Sequence, residues 1–121
     1  MPKSCVLISG PTISLDEHLF RELQKHVITL KCGQNNEIVA VLETAEIAIL
    51  VLEMTSATSA DLDIIKTIKS HCQKIEIILI GGNDDRNIIA KAFALGAKDA
   101  FPKAFDRSLL VERIQALLRQ I

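Results

Sequence analysis

Few side chains on this chain are of a type and spacing that could do chemistry. Cys5, Cys32 and Cys72 are an odd number of cysteines with no Cys-x-x-Cys pair, which suits neither a zinc site nor a disulfide framework, so three unbridged thiols are expected. The run Gly81-Gly82-Asn83-Asp84-Asp85 could cradle a phosphate ahead of a helix N-terminus. The two aspartates would repel an anion, however, and neither G-x-x-x-x-G-K-[ST] nor G-x-G-x-x-G occurs anywhere, so a turn and helix cap is the plainer reading. Lys103 is a candidate anion clamp, with a local ion pair as its alternative role. Glu53 is a lone carboxylate closing the apolar run that begins at Ile47. His26 and His71 fall near the ends of helical stretches, where a partly charged imidazole suits the helix dipole and needs no ligand. No G-x-S-x-G elbow is present, so a Ser-His-Asp hydrolase is not expected. These observations give no catalytic constellation, no metal site and no cofactor.

Composition narrows the partners. Among 121 residues, 14 Lys+Arg and 15 Asp+Glu are spread along the chain, so no basic stripe exists to neutralise nucleic-acid phosphates. Aromatic residues are 3% of the chain, with no Trp or Tyr, which leaves little to stack on a flavin or on splayed bases. The run 47–52 is far shorter than the ~20 residues of a membrane span, and no signal-peptide core follows the N-terminus. A cytoplasmic protein with no direct nucleic-acid or membrane partner is the expectation. With 49% hydrophobic residues, the length is enough to bury one core, so residues 1–121 are expected to form one domain.

The elements that must position Glu53 and Lys103 follow from hydrophobic periodicity. Continuous branched-aliphatic runs at 5–8, 27–30, 47–52 and 75–80 read as strands covered on both faces, and 99–101 as a weaker fifth. Helical patterns lie between them. Ser14-x-x-Glu17 matches a capping box opening a helix with Leu15, Leu19, Phe20 and Leu23 on one face. A second helix is placed at about 36–42, and Ser59 is read as the cap of a third whose Leu62, Ile65 and Ile68 repeat at three-residue steps. Asp84 or Asp85 is read as the cap of a fourth through Ile88, Ile89 and Phe93, ending at Gly96. Asp106 opens a fifth that buries Leu110, Ile114, Leu117 and Leu118. Five β-α units of this kind predict a flavodoxin-like α/β/α sandwich: a five-stranded parallel sheet of order 2-1-3-4-5 with helices on both faces. Sites in such sheets form outside the C-terminal strand ends, which here carry Ser9-Gly10, Val51 to Thr55, Gly81-Gly82 and Lys103.

The run from Gly96 to Asp106, Gly-Ala-Lys-Asp-Ala-Phe-Pro-Lys-Ala-Phe-Asp, resembles the end of a response-regulator receiver (CheY-like) domain, and the spacing of the other elements agrees over essentially the whole chain. The resemblance implies a phosphoacceptor aspartate at the end of strand three, and Mg²⁺ held by that residue and an acidic pair after strand one. Aligning 46–54 with the family pattern Asp-Leu-Val-Leu-Leu-Asp-x-x-Met places Val51 at the acceptor, which cannot be phosphorylated. The acidic pair falls on Ser9-Gly10, and the switch hydroxyl after strand four falls on Gly81. Lys103 remains, as does Phe101 at the aromatic position of the output face. Asp16-x-His18, which is similar to a cobalamin-binding motif, has Arg21 where that motif needs glycine.

The expected function is therefore that of a pseudo-receiver: a signalling module working by protein-protein contact without aspartyl phosphorylation. Its partner would be another protein, a fused effector domain after residue 121, or a second copy. The interaction surface implied by the family comprises Arg86, Lys91, Ala100, Phe101, Arg107 and Arg113. Because residues i and i+2 of a strand share a side, Glu53 is expected to reach Lys103 as a fixed ion pair. Two alternatives stay open, a receiver phosphorylated at Glu53 or Asp61 and a small-anion sensor built from Lys103 and Gly81-Gly82.

Overall fold

The computed structural model describes residues 5–55, 59–81 and 86–120. Five strands, β1 (Cys5–Ser9), β2 (Ile28–Cys32), β3 (Ile47–Glu53), β4 (Glu76–Ile80) and β5 (Ala97–Phe101), form one parallel sheet in the order β2-β1-β3-β4-β5. The helices are α1 (Glu17–Gln24), α2 (Ile38–Thr44), α3 (Ser59–His71), α4 (Arg86–Ala94) and α5 (Arg107–Arg119). This is the predicted sandwich and strand order.

Strand alternation divides the core in two. Leu7, Leu50, Leu52, Ile77 and Leu79 face α2, α3 and α4, where they meet Ile38, Leu62, Ile65, Ile68 and Ala92. Val6, Ile8, Ile49, Val51, Ile78 and Ile80 face α1 and α5, meeting Leu19, Leu23, Leu110, Val111, Ile114 and Leu117. Central β3 and β4 are apolar at nearly every position because both faces are covered. Edge strand β2 is covered less completely, and Ile28 is exposed. Gly96, at φ +114, turns the chain from α4 into β5 in a conformation that side chains rarely adopt.

Several local expectations are corrected. The first helix begins at Glu17 and not after Ser14: residues Ile13–Leu15 form a 3-10 turn, and Asp16 is the cap, accepting from the Leu19 amide at 3.1 Å. Leu15 is consequently 75% exposed instead of buried, and Glu17 pairs with Lys31 on β2 at 2.8 Å. Ser59 is the first residue of α3, not the residue before it, and α2 runs two residues later than expected, behind a 3-10 turn at Asn35–Glu37. The fourth helix does run through Ile88, Ile89 and Phe93, and Phe93 is 42% exposed beside β5. The proposed caps Asp84 and Asp85 lie outside the described residues. Asp106 does cap α5, accepting from the Leu109 amide at 3.2 Å.

Candidate functional site

At the C-terminal edge of the sheet, β1 and β3 run side by side with Ile8 opposite Val51 and Ser9 opposite Leu52. Val51 is completely buried on the α1 and α5 side. Two residues on, Glu53 points to the same side and is only 2% exposed, a rare position for a carboxylate. It is held by hydrogen bonds. The backbone amides of Thr12 and Ile13 each donate to Oε1 at 2.9 Å, and the Thr12 hydroxyl donates to Oε2. Burial pushes the Glu53 carboxyl up, but the Thr12 hydroxyl, the two amides and the more distant Lys103 charge outweigh it and hold the group below its ordinary value. Glu53 is thus an anion at neutral pH.

The space for this side chain comes from Gly10. A Cβ built there would lie 2.4 Å from both Cβ and Oε1 of Glu53, and the Gly10 backbone has φ +145. Neighbouring Ser9 donates to Asn35 Oδ1 at 2.7 Å, and Asn35 Nδ2 donates to the Glu53 carbonyl at 2.9 Å. The loops after β1 and β2 are therefore both bonded to the end of β3.

The expected pairing of Glu53 with Lys103 is corrected: the ion pairs within 4.0 Å among the described residues do not include it. Lys103 is exposed and acts on Glu53 only as a charge at longer range. Thr12 and Ile13 supply directed donors that would otherwise be left unsatisfied at the start of a turn, and they take the carboxylate instead. Asp61 is 2% exposed and accepts from the Thr55 amide and hydroxyl, both at 3.4 Å. Gly81, at φ +91, donates its amide to the Phe101 carbonyl at 2.9 Å and joins β4 to β5, while Gly82 lies outside the described residues. A divalent cation such as Mg²⁺ needs several hard oxygen ligands. The donor set does not fit one, since Ser9, Gly10 and Val51 bring no carboxylate, Glu53 is already engaged, and no group of three metal-ligating side chains exists among the described residues.

The residues expected on the interaction surface separate into three places. Arg86 and Ala100 line a shallow cleft of about 420 Å³ with Ile89, Ala90 and Phe93, and Lys91 is exposed on α4 nearby. On the opposite face of β5, Phe101 packs into the core beside α5, and Arg113 Nε reaches Asp99 Oδ2 at 2.8 Å. Arg107 turns away to α1, its Nε 2.9 Å from Asp16 Oδ2 and 3.1 Å from Oδ1. Thr12, Asn35 and Asp16 carry the site's connections and were not read as site residues. For Thr12 and Asn35 no sequence signal marks them beyond their place on loops at strand ends.

No family model matches the chain. It is 30% identical over 95 residues to response regulator RR06 of Streptococcus pneumoniae, a match covering 78% of this chain and 42% of that protein, so the chain spans about two fifths of the length of the curated relative. Solved structures agree in fold. A response regulator from Thermotoga maritima superposes with a TM-score of 0.84 at 16% identity, covering 97% of this chain and 98% of the other. An orphan response regulator of H. pylori superposes at 0.82 and 20% identity, covering 95% and 96%. A pilus assembly protein, cpaE, from Burkholderia thailandensis superposes at 0.79 and 14% identity, covering 95% and 98%. The fold is that of CheY-like receiver domains, and the sequence match is to a response regulator.

Proposed function

We propose that this chain is an atypical receiver domain that works through protein-protein contact and without aspartyl phosphorylation. The observation that carries this reading is the pair Val51 and Glu53. The acceptor position implied by the family resemblance holds a fully buried valine, and the carboxylate beside it is already saturated by Thr12 and Ile13. Phosphoryl transfer to a carboxylate requires a free acceptor and cations to offset the charge of the transferred group. Neither Glu53 nor Asp61 offers a free acceptor, because both are buried and both accept hydrogen bonds. An anion sensor at Lys103 has less support, since the lysine is exposed and the negative Glu53 lies on that side of the sheet.

The partner-binding region on this reading is the cleft between α4 and β5. Phe93 is 42% exposed there, and Arg86, Ile89, Ala90 and Ala100 line the cleft with it. An apolar centre with a cationic rim suits a protein segment carrying an apolar side chain and a carboxylate. The match to RR06 also fits a chain that works with an effector domain, because the match covers only 42% of that longer relative.

Incubation with acetyl phosphate and Mg²⁺, followed by intact mass measurement, tests the proposal. The mass should not change; a gain of one phosphoryl group would overturn it. In parallel, beryllofluoride and Mg²⁺ should leave the backbone amide shifts of Val51, Gly81 and Lys103 where they are, and saturable shifts at those residues would count equally against the reading.

A further inference from the structure

We propose that Glu53 is an internal latch that fixes residues 10–16 against β3 and, through Asp16 and Arg107, sets the first turn of α5. The proposal rests on the reading of the site as one that takes no phosphoryl group, and it concerns what the resident carboxylate does there instead.

The contacts are continuous. Glu53 accepts the amides of Thr12 and Ile13 and the Thr12 hydroxyl, and the Ser14 amide donates to the Gly10 carbonyl at 3.3 Å, closing the loop beneath it. The 3-10 turn Ile13–Leu15 follows directly, with the Leu15 amide on the Thr12 carbonyl at 3.1 Å and the Asp16 amide on the Ile13 carbonyl at 3.1 Å. Asp16 is therefore three residues from the latch along a segment whose every turn is hydrogen-bonded. Its carboxylate has two tasks: it caps α1 through the Leu19 amide, and it holds Arg107 Nε through both oxygens. Arg107 is the first residue of α5. The Asp16 carboxyl is far less exposed than its partner, 14% against 52%, so the loop supplies the fixed end and the arginine the adaptable one.

The position of Glu53 makes it the controlling member. It is the one group in this chain of contacts that lies on a central strand, paired to Ile80 of β4 and 2% exposed, whereas Thr12 and Arg107 are exposed. A buried carboxylate that satisfies three donors has no equivalent position to move to, and the Gly10 backbone leaves room for that side chain alone. The route also leaves out Gly81, so it needs no hydroxyl after β4.

Contiguity alone does not establish coupling; non-additivity does. The test is backbone amide NMR on the 121-residue chain as wild type, Glu53→Ala, Arg107→Ala and the double variant. Glu53→Ala should move the Thr12 and Ile13 amides and also those of Ser108, Leu109 and Leu110. In the Arg107→Ala background the same change should still move Thr12 and Ile13 but shift the three α5 amides by less than half as much. Shifts confined to residues 10–16 and β3 would overturn the proposal, as would undiminished α5 shifts without Arg107, because direct packing of β3 on α5 would then explain them. Should Glu53→Ala not fold, Glu53→Gln keeps the side-chain volume, and hydrogen exchange at Thr12, Ile13 and Leu109 replaces the shifts. At least tenfold faster exchange at all three is expected with Arg107 present, and acceleration at Thr12 and Ile13 only would sink the latch. A phosphoryl mass gain would defeat the functional reading and leave this pattern intact, so the two failures are distinguishable.

Discussion

Gly10 and Glu53 are fitted to each other: any Cβ at Gly10 would fall 2.4 Å from the Glu53 Cβ and Oε1, inside van der Waals contact. The contact is with a side chain held by three hydrogen bonds, so little of the overlap can be relieved by rotation. A φ of +145 adds strain for any residue with a side chain. Such conformations cost about 1–3 kcal/mol each. Gly10→Ala should therefore destabilise the domain by about 3 kcal/mol or more in urea unfolding. In the double variant with Glu53→Ala the overlap with Oε1 should vanish while the overlap with Cβ and the backbone part remain, so the double variant should be more stable than the sum of the single changes predicts. Simple additivity would show that the two residues do not share this space.

Because its hydrogen bonds outweigh burial, the Glu53 carboxyl lies below its ordinary value of 4.5 in the folded protein. A folded-state value below the unfolded one stabilises the fold at every pH above the unfolded value, and that stabilisation is lost as pH falls through the folded value. Glu53→Gln should cost about 1–3 kcal/mol at pH 7, the usual range for leaving buried donors poorly satisfied. The difference between wild type and variant should hold steady down to about pH 5 and shrink below 4.5. A difference that grew on acidification, seen in urea melts across that range, would mean that the carboxyl is held protonated and not ionised.

Val51→Asp restores the family's acceptor residue in name, and it should not restore phosphorylation. The new carboxylate would enter a fully buried position beside Ile8 and Ile78, with no cation ligand nearby and with the Glu53 charge two residues away on the same side. Burying an unpaired charge costs several kcal/mol, or forces the group to remain protonated. The variant should melt well below wild type at pH 7, recover part of the difference toward pH 5, and take up no phosphoryl group from acetyl phosphate by mass.

The architecture was legible because it rests on periodicity. Runs such as 47–52 and 75–80 can only be covered on both faces, and repeated β-α units leave few ways of arranging them. Local capping was less legible, since Ser14-x-x-Glu17 satisfies the capping-box pattern while the real cap is Asp16. What decides between them is a tertiary contact: Glu53, forty-one residues away from Thr12, draws in the amides of Thr12 and Ile13 and tightens the following residues into a 3-10 turn. The same long-range bonds defeated the expected Glu53-Lys103 pair. Strand parity correctly put Glu53 on the side of Val51, but parity is blind to the donors that wait there. Helical spacing put Phe93 on α4 but could not show whether a neighbour covers it, and it is 42% exposed.

The three thiols should differ in reactivity in an order set by burial. None is in a disulfide; Cys5 and Cys32 are 9% and 7% exposed, and Cys72, just after α3, is half-buried. Burial pushes the Cys32 thiol up, against a smaller opposing effect from its hydrogen bond with Ser9, so less of it is thiolate at neutral pH. The thiolate is the reactive form, and a reagent can reach Cys5 or Cys32 only when the edge of the sheet opens. With excess iodoacetamide at pH 7.5 the native protein should gain one label quickly, mapped by peptide mass to Cys72, and the second and third only at the rate of unfolding. Adding urea below the unfolding midpoint should accelerate the slow labels and leave the first unchanged. Early labelling of Cys32 would mean that the β2 edge and the Ser9-Asn35 contact open without global unfolding, in which case the loops around Glu53 are less firmly held than their hydrogen bonds imply.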